Sequence, residues 1–376
     1  MQIEASPNWL GSYFYLPHAA RVLCVVYFGW KAVPGLFLAE LWGPNFNVLE
    51  PNTLTHLIPP LMSVLSVPLA LSTLSLFGFL YKTPNEITSG RLNFARWLNN
   101  LAGTINPKIE GTIKEEIYFG DMKTYKVSTP NSNPDRILLY FHGGGYALGS
   151  PQSHYSLVSY LADITKTTVY VPDYRLGPEN KFPAQLEDGV KSYDFLINDL
   201  GYSPEQIAIA GDSAGGHLAL ITLLKIKETN KSMPSCLALL SPWTDPSGSG
   251  DTYTYEMAER DVLLGPMFKK IWDSDDELYN FYLNEEDMDE NDPYVIPLVG
   301  NYENCPPIMI QVGTEECLLS DSRRLKDKLE VDGCVHEYFE WEGMYHVFHI
   351  DVGMPETIEA FKQIGNFLEK YLPKNQ

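Results

Sequence analysis

The chain has 376 residues, 44% of them hydrophobic and 12% aromatic, enough to bury a large core and to exclude a fibrous or wholly disordered polypeptide. Its 27 basic and 48 acidic side chains leave a formal charge of -21, a field that repels phosphate backbones and anionic lipid head groups, so nucleic acid is not an expected partner. Cys24, Cys236, Cys305, Cys317 and Cys334 are odd in number and show no CxxC spacing, which argues against a zinc cluster or a dense disulfide framework and leaves room for one late disulfide.

Residues 58–81 contain no charged side chain, and the part after Pro60 would rise about 31 Å as a helix, close to the roughly 30 Å of hydrocarbon that a span must cross. This is a candidate membrane helix. Pro68, four serines, Thr73 and Gly78 weaken the signal, and a buried lid helix or a membrane-surface helix are the competing readings. The apolar stretch 22–30 is bracketed by Arg21 and Lys31 and is too short to span. Neither stretch reads as a cleaved leader, because residues 1–10 lack a basic region and the long apolar run begins late. Flanking basic residues set no orientation. The expected organisation is an N-terminal hydrophobic and cap region over 1–110, associated with a membrane, followed by a second domain over 111–376.

From about Glu115 the pattern changes. Short apolar runs rich in β-branched and aromatic residues, at 136–141, 168–171, 206–210, 237–240 and 308–312, alternate with helical periodicity at 183–199, 214–227, 320–330 and 355–371. That alternation predicts an α/β fold, a mostly parallel sheet with helices on both faces. Between residues 244 and 297 (about 300 at the outer limit) it breaks down into a polar, aromatic stretch, read as an insertion capping a site. The acidic run 284–292 within it reads as a solvated loop.

The first chemical motif in chain order is His142-Gly143-Gly144-Gly145-Tyr146, directly after the strand 136–141. Backbone N–H groups in a glycine-rich turn can stabilise the negative charge that builds on a carbonyl oxygen under attack. Gly144 and Gly145, together with Ala214, are the expected oxyanion donors. A phosphate-binding role is disfavoured, since the lysine and following Ser/Thr of a P-loop are missing. His142 is expected to orient the loop and move no proton.

The second is Gly211-Asp212-Ser213-Ala214-Gly215, between the strand 206–210 and a helix. Glycines two before and two after a serine suit a strand-to-helix turn in which backbones approach closely and the strained turn exposes Oγ. Ser213 is the candidate nucleophile. The competing reading, a serine cap in a glycine-rich turn, leaves the glycine run at 143–145 unexplained.

A serine hydroxyl needs a histidine to take its proton, and the histidine needs a carboxylate to hold its tautomer. Of His336, His346 and His349, the first falls inside a strand predicted over 335–341; His346 sits just past it in a loop at the carboxyl end of the sheet and is the candidate base, with His349 as the alternative. The acid lies after the strand 308–312, where Glu315, Glu316 and Asp321 are all chemically able and spacing does not choose.

These motifs, with Asp173-Tyr174-Arg175-Leu176-Gly177-Pro178-Glu179, Phe182-Pro183-Ala184, Ser241-Pro242-Trp243-Thr244-Asp245 and the run from Pro306 to Gly313, resemble the hormone-sensitive lipase family of α/β-hydrolases over residues 115–372. The resemblance implies that the acid is the third residue after Gly313, which is Glu316, where many members have aspartate. It implies the second and third glycines of the HGGG run and the residue after the serine as oxyanion donors, and a cap built from N-terminal helices and the 244–297 insertion. It also implies two-step hydrolysis of carboxylic esters, with no metal or organic cofactor. The hydrophobic N-terminal stretch looks like the membrane-anchored branch, fungal steryl acetyl hydrolases and arylacetamide deacetylases, which implies a small lipophilic ester substrate and the endoplasmic reticulum; a soluble cytoplasmic protein is the alternative. Two further readings share the fold: an amidase with the same triad, and a non-catalytic small-ligand receptor, against which the retention of Ser213, Glu316 and His346 together argues. Asn230-Lys231-Ser232 is a glycosylation sequon, used only if the domain is lumenal.

Overall fold

The structure is a computed structural model that describes residues 89–274 and 281–372. Helix α1 (Ser89–Ile105) precedes an eight-stranded sheet of β1 (Ile113–Phe119), β2 (Met122–Ser128), β3 (Asn133–Phe141), β4 (Thr167–Pro172), β5 (Ile207–Asp212), β6 (Cys236–Leu240), β7 (Ile308–Glu315) and β8 (His336–Tyr345). The spatial order is β1-β2-β4-β3-β5-β6-β7-β8, antiparallel across β1/β2 and β2/β4 and parallel from there on. The central strands β4, β5 and β6 are buried at every residue, as a sheet covered on both faces requires.

Side-chain alternation sorts the strands into two cores. Ile137, Leu139, Ile209, Leu239 and Ile310 face α3 (Ala184–Asn198), α4 (Ala214–Glu228) and α7 (Leu319–Val331). Leu138, Tyr140, Ala210, Ala238 and Met309, one residue out of step, face α2 (Tyr155–Thr165) and α8 (Pro355–Tyr371). The predicted α/β sheet is present, with each of the five strands read from the apolar runs inside or within a residue of an observed one. The hairpin β1–β2 and helix α2 were not predicted.

The connection from β6 to β7 carries two short helices, α5 (Tyr255–Arg260) and α6 (Gly265–Ser274), together with 3-10 turns at Glu285–Asp287 and Pro297–Val299. Cys236, Cys305, Cys317 and Cys334 are free thiols, so no disulfide joins the described residues. The candidate membrane stretch 58–81 lies outside the described residues; among those, no helix is long and apolar enough to cross a membrane.

Candidate active site

The carboxyl ends of β3, β5, β7 and β8 converge on one place. Ser213 follows β5 with φ 53° and ψ -120°, a strained geometry for a residue with a side chain. The sequence permits that turn because its glycines leave room. A Cβ at Gly211 would stand 2.3 Å from the Gly215 carbonyl oxygen, and one at Gly215 would stand 2.0 Å from that of Phe141. The Ser213 amide is tied to the Leu240 carbonyl at 2.9 Å, and its own carbonyl accepts from Trp243 at 3.0 Å, so β6 braces the turn from the side.

The structure places the Ser213 hydroxyl 3.0 Å from Nε2 of His346, while the opposite ring nitrogen, Nδ1, donates to a Glu316 carboxylate oxygen in a short contact. Hydrogen bonding fixes the tautomer: a carboxylate oxygen can only accept, so Nδ1 carries the proton and Nε2 is free to take one from the serine. The other Glu316 oxygen accepts from the Ser241 hydroxyl at 2.9 Å and from the Gly313 amide at 2.8 Å. Glu316 and His346 are buried. Burial pulls the imidazole towards the neutral form, but the Glu316 charge, aided by Asp261 and Asp212, raises the His346 pKa above 6.5.

The neighbouring acids stand elsewhere. Glu315, partly buried, pairs with Arg260, whose side chain is half exposed. Asp321 accepts the Thr244 and Asp245 amides at 2.7 and 2.9 Å; burial, with Asp245 close by, pushes its pKa up to about 7. His336 opens β8 and bonds the Cys334 carbonyl, and His349 is buried against the Gln311 side chain, so neither meets the serine.

In the glycine run, Gly143 donates to an Asp212 oxygen at 2.9 Å, and the same oxygen accepts the Tyr140 hydroxyl at 2.7 Å. Burial works against that carboxylate's charge, yet His154 beside it, with Tyr140 and His142, holds the Asp212 pKa down at about 2. Gly144 and Gly145 have φ of 116° and 59° and lie on the open side of the turn. Among the described residues, the amides of Gly144, Gly145 and Ala214 donate to no protein acceptor. His142 is stacked on Tyr174 with ring centroids 4.3 Å apart and bonds the Gly143 carbonyl, as expected of a residue that shapes the loop.

Sequence reasoning missed Asp261. Its Oδ1 accepts the Leu263 and Leu264 amides at 3.0 and 2.8 Å, while Oδ2 accepts the amide of Cys317, next to Glu316, at 2.8 Å. A lone aspartate in a polar stretch carries no signal that could have singled it out.

Three buried histidines make the fold acid-sensitive. Burial lowers the pKa of His142 and His349 to about 3 and of His217 to about 4, whereas an unfolded histidine titrates near 6.5. Because the folded values are depressed, the unfolded chain takes up protons first, and each group weakens stability by about 1.4 kcal/mol per pH unit below about 6.5 until its folded value is reached. Asp321 and His346, whose folded pKa values are raised, act with the opposite sign over the same range. Thermal melts are therefore expected to show Tm falling from pH 7 to pH 5 less steeply than the three rings alone would give, and a Tm that rises towards pH 5 would contradict their neutral burial.

A family model described as the alpha/beta hydrolase fold matches residues 138–350. An acetyl-hydrolase of Streptomyces hygroscopicus is 37% identical over 240 residues, 64% of this chain and 77% of that protein. An esterase of Acinetobacter venetianus is 31% identical over 233 residues, 62% of this chain and 74% of its own length. Among solved structures, an esterase from the bacterial hormone-sensitive lipase family superposes with a TM-score of 0.70 at 29% identity, across 81% of this chain and 99% of that one. This chain belongs to the α/β-hydrolase fold and, within it, to the hormone-sensitive lipase family.

Proposed function

We propose that this chain, a carboxylic ester hydrolase, works by acyl transfer through Ser213, His346 and Glu316, with Gly144, Gly145 and Ala214 receiving the oxyanion. The observation that carries the reading is the continuous path from the Ser213 hydroxyl through both ring nitrogens of His346 to the buried Glu316 carboxylate. As Oγ attacks the ester carbon, its proton passes to Nε2 and the carbonyl electrons collect on the oxygen. The tetrahedral adduct collapses, the alcohol leaves with the proton from Nε2, and the acyl group stays on Ser213. Water then gives a proton to Nε2 and attacks the same carbon, and the serine leaves reprotonated, releasing the acid. Glu316 holds Nδ1–H throughout and stabilises the imidazolium.

The proposed substrates are short acyl esters of lipophilic alcohols; the ester and its short acyl half are in line with the acetyl-hydrolase and esterase relatives. Steryl acetates, and anchorage to a membrane through residues 58–81, rest on the composition of that stretch and on its resemblance to the anchored branch. The chain is then an N-terminal anchoring and cap region over 1–110 and a catalytic domain over 111–376 with a cap insertion at about 244–300.

The test combines substrates with labelling. p-Nitrophenyl acetate, butyrate and octanoate, a steryl acetate and an acetanilide are assayed on the full chain. A fluorophosphonate is then added, and the modified peptide is mapped. One adduct per chain on Ser213, with turnover lost in proportion, is expected. Turnover surviving complete labelling sinks the serine assignment, and faster cleavage of the acetanilide than of every ester replaces the esterase reading with the amidase one.

A further inference from the structure

One face of α1 lies against the segment that continues the glycine turn. Arg96, Asn100 and Thr104 recur at every fourth position and therefore stack along one side of the helix. The Arg96 guanidinium donates from Nε to the Ala147 carbonyl at 2.9 Å and from a terminal nitrogen to the Gly177 carbonyl at 2.8 Å. Its two terminal nitrogens also grip both Glu179 oxygens, at 2.8 and 2.9 Å. Farther along the same face, Asn100 Oδ1 accepts the Ser150 hydroxyl, and Thr104 Oγ1 accepts the Gln152 side-chain amide at 3.1 Å. Gly103 lets the backbones close, since a Cβ there would stand 2.1 Å from the Gln152 carbonyl oxygen.

The contacted residues are mechanically joined to Gly144 and Gly145. The turn closes through the Ala147 and Leu148 amides, which donate to the Gly144 carbonyl at 3.1 and 2.8 Å. On its far side the Tyr146 carbonyl accepts from Gly177, at 2.8 Å, the residue whose own carbonyl Arg96 holds. A run of glycines has no side chains with which to fix itself, yet donors to an oxyanion act by being fixed before charge develops. The planar guanidinium can serve two carbonyls and a carboxylate at once, which an ammonium on a flexible stem cannot do with the same geometry.

We infer that Arg96 is a positioning residue for acyl transfer: by pinning the Ala147 and Gly177 carbonyls, it holds the Gly144 and Gly145 amides where the oxyanion meets them. The inference rests on the oxyanion-hole reading proposed above. It makes α1 a splint for the site, so the N-terminal boundary of a working enzyme falls before Ser89.

The experiment measures kcat and KM for p-nitrophenyl acetate and the Ki of an alkyl trifluoromethyl ketone, whose adduct with Ser213 places a negative oxygen among those amides. Full-length wild type, Arg96→Ala and Arg96→Lys are compared, with folding followed by circular dichroism. Arg96→Ala is expected to lower kcat roughly tenfold to a hundredfold and to weaken the ketone by a similar factor, with KM within about twofold of wild type. Arg96→Lys is expected to recover part of both losses, and added guanidinium at millimolar concentration to restore part of the activity of Arg96→Ala alone. Unchanged kcat, or a fall in kcat with full ketone affinity, overturns the inference. If Arg96→Ala does not fold, Arg96→Lys carries the same comparison, and wild-type values of kcat and Ki in it overturn the inference. Failure of the underlying site reading is distinguishable, because it appears as ketone insensitivity in the wild type itself and overturns both.

Discussion

Replacing Ser213 by alanine is expected to lower kcat for p-nitrophenyl acetate by about five to six orders of magnitude while leaving the melting temperature close to that of the wild type. The first half follows from the role proposed for Oγ: without it no acyl-enzyme forms, and what survives is the rate that binding and fixed amides give to direct attack by water, about a thousandfold over solution. The second half follows from the packing. The turn is held by the Ser213 amide and carbonyl, both of which alanine keeps, and among the described residues the hydroxyl bonds His346 alone. Alanine inherits the same positive φ of 53°, so the strain is unchanged between the two proteins. The check is a steady-state assay beside a thermal melt, with fluorophosphonate titration to exclude traces of wild type. More than one percent of wild-type kcat in a preparation that takes up no label would contradict the assignment.

Glu316→Gln is expected to cost about four orders of magnitude in kcat at neutral pH, and the reason lies in how the carboxylate is held. One oxygen of Glu316 accepts from both the Ser241 hydroxyl and the Gly313 amide, so in the variant the amide oxygen takes that doubly donated place. The NH2 group then faces His346 Nδ1, which must accept. The ring proton moves to Nε2, and a ring protonated there cannot take the serine's proton. Glu315→Gln, which removes only the partner of Arg260 at the surface, is expected to stay within about threefold of wild type. The pH profile provides a second reading of the same pair. Catalysis needs the neutral imidazole, so kcat/KM of the wild type falls as pH drops through a midpoint above 6.5, where the Glu316 charge has raised it. Losing that charge leaves burial opposed only by Asp261 and Asp212, and the midpoint in Glu316→Gln moves to lower pH. Comparable losses in Glu315→Gln and Glu316→Gln, or an unmoved acid limb, would contradict the choice of Glu316.

How much of this was legible without coordinates depended on how local the signal was. Strands β3 to β7 are fully or largely buried, so each left an apolar run of β-branched residues that reads directly. The hairpin β1–β2 sits at the sheet edge and mixes exposed and buried residues with lysines and glutamates, which left no such run. The turn at Ser213 was visible because its two glycines and the serine fall within five consecutive residues, although one of those glycines is required by the distant Phe141 carbonyl. The three acids between 315 and 321 were not separable by spacing. What distinguishes them is tertiary: β7 runs on to Glu315, which faces Arg260, and the next residue turns inward beneath Ser241, a residue 75 positions away in the chain. Arg96 and Asp261 were illegible for the same reason, since each acts on backbone atoms more than fifty residues distant.

Asp261 also bears on how enzymes of this architecture can be remodelled. The β6–β7 connection looks like an exchangeable part, a lid that could be swapped to change which alcohols are admitted. Yet one of its carboxylate oxygens shapes the start of α6 and the other receives the amide directly after Glu316. A transplanted lid without an acceptor at that point would leave a buried N–H unsatisfied at a cost of about 1–3 kcal/mol, beside the carboxylate that orients His346. A graft that keeps an aspartate at position 261 is therefore expected to outperform an otherwise identical one that does not.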